Sequence, residues 1–141
     1  MNTTEARVVI DTNVFITIFK SDDINRWMFD KIIKGEWVLC LSNDIFFEYL
    51  EILEQKLNLG VAEKILSFLI SSPYVYLVEN YFHLNLIEVD KDDNKFCDTA
   101  FTSSANFIIT NDKHFKVLQS VEFPSITVYN PEEIYKLYFP I

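Results

Sequence analysis

Four carboxylates in this chain occupy positions where the surrounding sequence predicts the end of a strand or the beginning of a helix. They are Asp11, Glu48, Asp93 and Asp112. Asp11 directly follows the apolar run Val8-Val9-Ile10, which is typical of a buried strand in a parallel sheet. Open α/β sheets bind ligands beyond the carboxyl ends of their strands, so this acid is well placed for chemistry.

The sequence predicts that the other three acids lie near the same edge. Asp112 follows the apolar run 107–110, and a parallel strand there would end beside Asp11. Glu48 lies on the second turn of the helix that follows the apolar run 37–41. Asp93 lies at the start of a helix that runs to about residue 105. We therefore expect four acids from four strand-to-helix connections to converge.

Each acid taken alone also has a structural explanation. Asp93 and Asp112 have the residue type and position of helix N-caps, where aspartate is among the preferred residues. Glu48 alone is typical of a solvated helix residue. Asp11 is harder to explain in this way, because no cap geometry requires an acid at the end of a buried strand.

Four converging carboxylates would need a counter-charge. Two of them about 4 Å apart repel each other by about 4 kcal/mol at an effective dielectric constant of about 20. The group would therefore protonate, separate or bind a cation. Because it contains no histidine or cysteine, it favours Mg²⁺ or Mn²⁺ over Zn²⁺. Such an ion activates water and binds phosphoryl oxygens, so a phosphate ester is the predicted substrate class.

Alternating strand and helix patterns predict an α/β fold with a mostly parallel central sheet. The predicted strands are 7–10, 37–41, 107–110 and 125–129, with the last at an edge. The pattern leaves open whether residues 74–78 and 84–89 are strands or extended connections. The predicted helices are about 14–20, from Ser21-Asp22-Asp23 to Gly35, 45–57, 62–70, 93–105, 113–117 and from Pro131 to about 140.

Composition limits the classes of protein to which this chain could belong. Its 141 residues, half of them hydrophobic, predict a single globular domain over 1–141. A net charge of −9 argues against a broad basic surface for nucleic acid, but not against acids gathered around a cation. We expect no signal peptide and no membrane association. Cys40 and Cys97 have no CxxC partner, which indicates buried free thiols and a cytoplasmic location.

The combined motifs resemble the PIN-domain family, the ribonuclease fold of many bacterial toxin–antitoxin (VapC-like) toxins. The resemblance covers most of the chain in the family's order. It rests on Val9-Ile10-Asp11-Thr12-Asn13, residues 42–48, Asp92-Asp93-Asn94-Lys95-Phe96 and Thr110-Asn111-Asp112-Lys113-His114-Phe115. The third piece is similar to the "DPDDNKF" segment of one branch, with Lys91 in place of the proline.

The resemblance implies a three-layer sandwich with helices on both faces of the sheet. It places the catalytic, metal-binding acids at Asp11, Glu48, Asp93 and Asp112, with Mg²⁺ or Mn²⁺ as cofactor. Supporting roles fall on Thr12, Asn13, Thr110 and Asn111. Asp98 matches a further acid of this branch, although helical geometry turns it about 140° away from Asp93.

The reaction that the resemblance implies is hydrolysis of an RNA phosphodiester bond, leaving a 5′-phosphate and a 3′-hydroxyl. The implied partners are an antitoxin protein and a second copy of the chain. Two alternatives remain. One is a catalytically weak RNA- or protein-binding module of the same fold. The other is a haloacid-dehalogenase-like phosphatase, which is disfavoured because its second acid would be replaced here by Asn13, which cannot transfer a proton.

Two basic side chains lie close in sequence to the acids. Lys95 and Lys113 could attract a phosphate, but the pattern favours solvated surface lysines. His83 and His114 lack the spacing of zinc ligands, and His114 is expected to pack or to lie exposed near the site.

Overall fold

The computed structural model describes residues 5–20 and 22–140. Ser21, part of the predicted start of the second helix, lies outside these residues. Five strands form one sheet in the order β3-β2-β1-β4-β5, and every neighbouring pair is parallel. The strands are β1 (Ala6–Ile10), β2 (Trp37–Leu41), β3 (Val75–Leu77), β4 (Phe107–Ile109) and β5 (Val128–Tyr129). The predicted α/β class with a mostly parallel sheet is confirmed.

The central strand β1 shows why the sheet is covered by helices on both faces. Successive residues of a strand point to opposite faces. Val8, Val9 and Ile10 are nonetheless all fully buried. Both faces of the sheet are therefore covered at its centre, which accounts for the continuous apolar run in the sequence.

Within the described residues, six α-helices connect and cover these strands. They are α1 (Thr12–Phe15), α2 (Arg26–Ile33), α3 (Asn43–Lys56), α4 (Leu59–Ser71), α5 (Asn94–Ser103) and α6 (Pro131–Tyr138). Three 3₁₀ helices add Ile16–Phe19, Lys91–Asp93 and Lys113–Ser120. The first predicted helix begins at Thr12 rather than at residue 14, so it follows Asp11 directly.

Side-chain caps and a glycine mark several helix ends. The side chain of Ser42 accepts a hydrogen bond from the backbone N–H of Ile45 at 3.3 Å and so caps α3. Asn130 and Glu133 form a reciprocal capping box at the start of α6. Gly35 follows α2 with φ = 77°, and a Cβ atom there would lie 2.6 Å from the Tyr74 ring. That position therefore requires glycine.

The spacing of Phe46, Leu50, Leu53 and Leu57 predicts the buried stripe of α3, but of these only Leu53 is buried. The buried residues of α3 are Ile45, Tyr49 and Leu53, whereas Leu50 is only partly buried. Tyr49 is buried because its ring stacks on Phe15 at 3.7 Å between centroids and its hydroxyl donates to the carbonyl of Ile10. An aromatic ring with a satisfied hydroxyl thus replaces a leucine in the core, and it joins α3 to the end of β1.

The two segments that the sequence left open adopt different structures. Residues 75–77 form the edge strand β3, and residues 84–89 form an irregular connection. Asn94 holds this connection in place, because its side chain accepts from Ile87 N–H at 2.9 Å and donates to Ile87 C=O at 2.8 Å. A side chain from the next helix therefore satisfies backbone groups that a neighbouring strand would otherwise bind.

Two further expectations concern the cysteines and the membrane. Cys40 and Cys97 are free and buried, as predicted. Burial, with the nearby charges of Asp98 and Asp93, raises the pKa of Cys97 to about 12, so this thiol is not an activated nucleophile. Within residues 5–20 and 22–140, no helix combines the length and apolar character needed to cross a membrane.

Candidate active site

The four acids lie at or near the carboxyl-terminal edge of the sheet. Asp11 follows β1, and its backbone N–H donates to the carbonyl of Ile109 in β4 at 2.9 Å. Asp112 follows β4 after two residues. Glu48 lies on the second turn of α3, and Asp93 immediately precedes α5. Four different connections therefore supply the four carboxylates.

One hydroxyl links the first and last of these acids. Thr110 donates from Oγ1 to Asp11 Oδ2 at 2.7 Å. The Oγ1 atom of Thr110 also accepts a hydrogen bond from the backbone N–H of Asp112 at 3.0 Å. The Asp112 carboxylate in turn accepts from the backbone N–H of His114 at 2.9 Å and caps the following 3₁₀ helix. Asp112 thus has the cap contact that the structural explanation predicts, while its backbone is tied to Asp11 through Thr110.

Both carboxylate oxygens of Glu48 have partners. The hydroxyl of Thr12 donates to Oε2, and the ammonium of Lys95 lies 2.8 Å from Oε1. Lys95 also lies 2.8 Å from the Asp92 carboxylate and donates to the Asp92 carbonyl at 2.9 Å. Its side chain is only 11% exposed, so the prediction of a solvated surface lysine is wrong. Hydrogen bonds to two carboxylates outweigh the cost of burying its charge and raise the pKa of Lys95.

Asp93 differs from Glu48 because one of its oxygens has no hydrogen-bond partner. The residue is 9% exposed, and Oδ2 is buried without a hydrogen bond among the described residues. Nδ1 of His114 lies 3.7 Å from this oxygen. A buried carboxylate oxygen without a donor is costly, and it is typical of a position that binds an ion or water.

Mutual repulsion adds to the effect of burial on this group. Burial, with the charges of Asp112, Asp90 and Asp11, raises the pKa of Asp93 to about 7. Burial also raises the pKa of Asp11, and the charges of Glu48 and Asp112 add to this increase, while hydrogen bonds from Thr110 and Thr12 oppose it. The carboxylates therefore lie close enough to disfavour one another's ionisation, which a divalent cation would relieve.

This electrostatic strain predicts that the metal-free protein is more stable when mildly acidic. Asp93 keeps its proton up to about pH 7 in the folded chain but loses it near pH 4 when unfolded. Its contribution to stability is therefore full below about pH 4 and is lost as the pH rises through 7. We expect D93N to raise the Tm at pH 8 by about 3 °C, or about 1 kcal/mol after allowance for solvent screening, and to change it little at pH 4.

The measurement is thermal unfolding in EDTA across this pH range. The exposed acid Asp44 supplies the control, because D44N removes the same charge from a solvated position. If the Tm of D93N and the Tm of D44N changed equally with pH relative to the wild type, the prediction would be contradicted.

The remaining predicted residues contribute unequally. Thr12 and Thr110 bind acids of the site directly. Asn13 and Asn111 are exposed, and their side chains form no hydrogen bond within the described part of the chain. Asp98 is buried and accepts from the backbone N–H of Leu84 at 3.0 Å, so it anchors the connection beside β3.

Sequence reasoning did not single out Asp90, which lies beside Asp93, whereas it predicted His114 near the site. Oxygen atoms of Asp90 and Asp93 and a ring nitrogen of His114 lie within 4.8 Å of one another. His114 Nδ1 also lies 3.3 Å from Asp112. The three-residue spacing of Asp90 and Asp93 is the only sequence signal that points to Asp90. His114 was expected only near the site, because its sequence spacing indicated no zinc site.

The residues present fit a hard divalent cation. Carboxylate oxygens dominate the site, which is the ligand chemistry that Mg²⁺ and Mn²⁺ prefer. The unpartnered Asp93 oxygen faces the charges of Asp11 and Asp112 and lacks a donor of its own. A groove of about 780 Å³ opens beside Glu48 and Lys95, between α3 and the connection that follows β3. Of the four acids, Glu48 lines this groove, so the groove reaches the site from the side of α3.

Comparison with known proteins places this geometry in context. The family model of the PIN domain matches residues 7–114. No curated protein sequence matches the chain significantly.

Solved structures share its fold at low sequence identity. A chain of VapBC2 from Rickettsia felis, bound to a DNA fragment from its promoter, has a TM-score of 0.62 and 12% identity, covering 88% of this chain and 98% of that one. FitAcB from Neisseria gonorrhoeae has a TM-score of 0.55 and 19% identity, covering 89% and 98%. FitAB bound to an IR36 DNA fragment has a TM-score of 0.54 and 17% identity, covering 88% and 94%.

Proposed function

This chain belongs to the PIN-domain family, and from that premise we propose that it is a metal-dependent endoribonuclease. In this proposal Asp11, Glu48, Asp93 and Asp112 form a site for Mg²⁺ or Mn²⁺. The observation that carries the proposal is the buried, unpartnered oxygen of Asp93 among neighbouring carboxylates. The expected reaction is hydrolysis of an RNA phosphodiester bond, with a 5′-phosphate and a 3′-hydroxyl as products.

The chemistry divides between the ion and the protein side chains. A bound divalent ion supplies an activated water and offsets the charge of the phosphodiester. Thr110 and Thr12 hold the carboxylates of Asp11 and Glu48 by hydrogen bonds from their hydroxyls. Lys95 holds the Glu48 carboxylate by an ion pair where Glu48 lines the groove.

The proposed partners follow from the family and from the structural relatives. The likeness to VapBC2 and FitAB supports the proposal that this chain is the toxin of a toxin–antitoxin pair. Its partner would then be an antitoxin protein that binds over the site. We further propose that the chain acts in the cytoplasm as a homodimer.

Cleavage of end-labelled single-stranded RNA tests the activity directly. Purified protein is incubated with Mg²⁺, with Mn²⁺ or with EDTA, and the product ends are identified by their reactivity with polynucleotide kinase. We expect cleavage with either metal, none with EDTA, and 5′-phosphate ends. Cleavage that persists in EDTA would contradict the proposal.

A second candidate is an RNA- or protein-binding module with weak turnover. The observation that favours it is the ion pair between Glu48 and Lys95, which already neutralises one proposed metal ligand. Tight RNA binding without cleavage in any metal would support this alternative. The PIN-domain match favours either reading over the phosphatase interpretation.

A further inference from the structure

The proposed metal site has two unequal halves. On one side, both oxygens of Glu48 are bound, one by the Thr12 hydroxyl and the other by the Lys95 ammonium. On the other side, no lysine or arginine among the described residues pairs with Asp11, Asp93 or Asp112. Among the described residues, the lysine ion pairs with these four acids are therefore confined to the Glu48 side.

Lys95 is fixed where it lies. An ammonium group has three donor positions. Lys95 has three oxygen partners at 2.8, 2.8 and 2.9 Å, which are the Glu48 carboxylate, the Asp92 carboxylate and the Asp92 carbonyl. Its side chain is less than half as exposed as that of Glu48. Lys95 therefore resembles a bound cation more than a mobile surface charge.

A divalent cation bound to Glu48 would compete with this ammonium. Mg²⁺ lies about 2.1 Å from its oxygen ligands, so an ion on Glu48 Oε1 would lie within about 5 Å of the Lys95 nitrogen. Repulsion between the two cations is strong in a partly buried site. In the part of the chain that the structure describes, no lysine or arginine pairs with Asp93, whose Oδ2 lies 3.7 Å from His114 Nδ1.

We propose that the ammonium of Lys95 takes the place of a second divalent cation at Glu48, so that the site binds one divalent ion per chain. This inference rests on the metal site proposed above and narrows it, because the single ion then lies beside Asp11, Asp93 and Asp112 while Glu48 pairs with Lys95. It assigns Lys95 a positioning role, in which the lysine holds Glu48 and sets the number of bound ions.

The test is the stoichiometry of Mn²⁺ binding to the full-length protein, measured by calorimetry and by electron paramagnetic resonance. We expect one Mn²⁺ per wild-type chain. K95M keeps a long unbranched side chain but removes the charge, and we expect it to bind two Mn²⁺ ions with spin coupling between them. The double variant E48Q/K95M should return to one ion, because the freed ligand is gone.

Two matched variants distinguish the effect of the Lys95 charge from a nonspecific effect of mutation. K95R retains a cation and should bind one Mn²⁺. K91M removes an exposed lysine of the same segment, which forms no ion pair with a described residue, and should also bind one. Two ions in the wild type or in K95R, or one in K95M with unchanged affinity, would overturn this inference alone. No binding by the wild type would overturn the metal site itself.

Discussion

Replacing Asp11 with asparagine is expected to lower the rate of metal-dependent RNA cleavage at least about 1,000-fold. Asp11 lies at the end of the central strand, is 7% exposed and is held by Thr110 at 2.7 Å. Its carboxylate lies close enough to Glu48 and Asp112 to interact electrostatically with both. Asparagine keeps the shape and one acceptor oxygen but removes the charge that would bind the ion. Single-turnover cleavage at saturating Mn²⁺ measures the effect.

Loss of activity in this variant should not reflect unfolding. Burial raises the pKa of Asp11, which means that its charge is already unfavourable in the metal-free fold. We therefore expect D11N to have a Tm in EDTA at pH 8 no lower than that of the wild type. D30N is the matched control, because Asp30 is an exposed acid of α2 that does not line the groove, and its activity should stay within about twofold. Cleavage by D11N within tenfold of the wild-type rate would contradict the four-acid site.

Local patterns were sufficient to predict the framework of this site. The run Trp37–Leu41 has the predicted strand bounds, because continuous apolar residues between turn signals have few other stable arrangements. Asp11 and Asp112 were predicted at one edge because parallel strands end together, and β1 and β4 are parallel neighbours. The shared location of Asp11 and Asp112 therefore follows from the order of strands and helices, which the alternating pattern along the chain predicts.

The contacts within the site could not be predicted in the same way. Lys95 appears as a surface lysine in the sequence, and only the approach of α3 to α5 reveals that Glu48 binds it. Residues 84–89 have an apolar pattern compatible with a strand. The side chain of Asn94, and not a neighbouring strand, forms hydrogen bonds with the backbone N–H and C=O of Ile87. Tyr49 is buried because its hydroxyl reaches the carbonyl of Ile10, 39 residues away. Each contact joins two elements whose relative position cannot be predicted from the types and spacing of residues within either one.

Replacing Thr110 with valine is expected to lower both stability and activity, because one hydroxyl serves two acids. Valine has the same shape but neither donates to Asp11 nor accepts from the Asp112 N–H. Loss of a hydrogen bond to a carboxylate and of a partner for a buried N–H predicts a decrease of about 2 kcal/mol in the free energy of unfolding. Loss of support for a metal ligand predicts weaker Mn²⁺ binding and slower cleavage by about 10- to 100-fold.

The pH dependence of cleavage separates this positioning role from simple destabilisation. The hydrogen bond from Thr110 lowers the pKa of Asp11, so its removal should raise that pKa further. The acidic limb of the rate profile should then move to higher pH in T110V. T110S retains the hydroxyl and should recover the wild-type profile and most of the Mn²⁺ affinity. A profile in T110V that coincides with the wild type, at whatever rate, would mean that the threonine stabilises the fold without positioning Asp11.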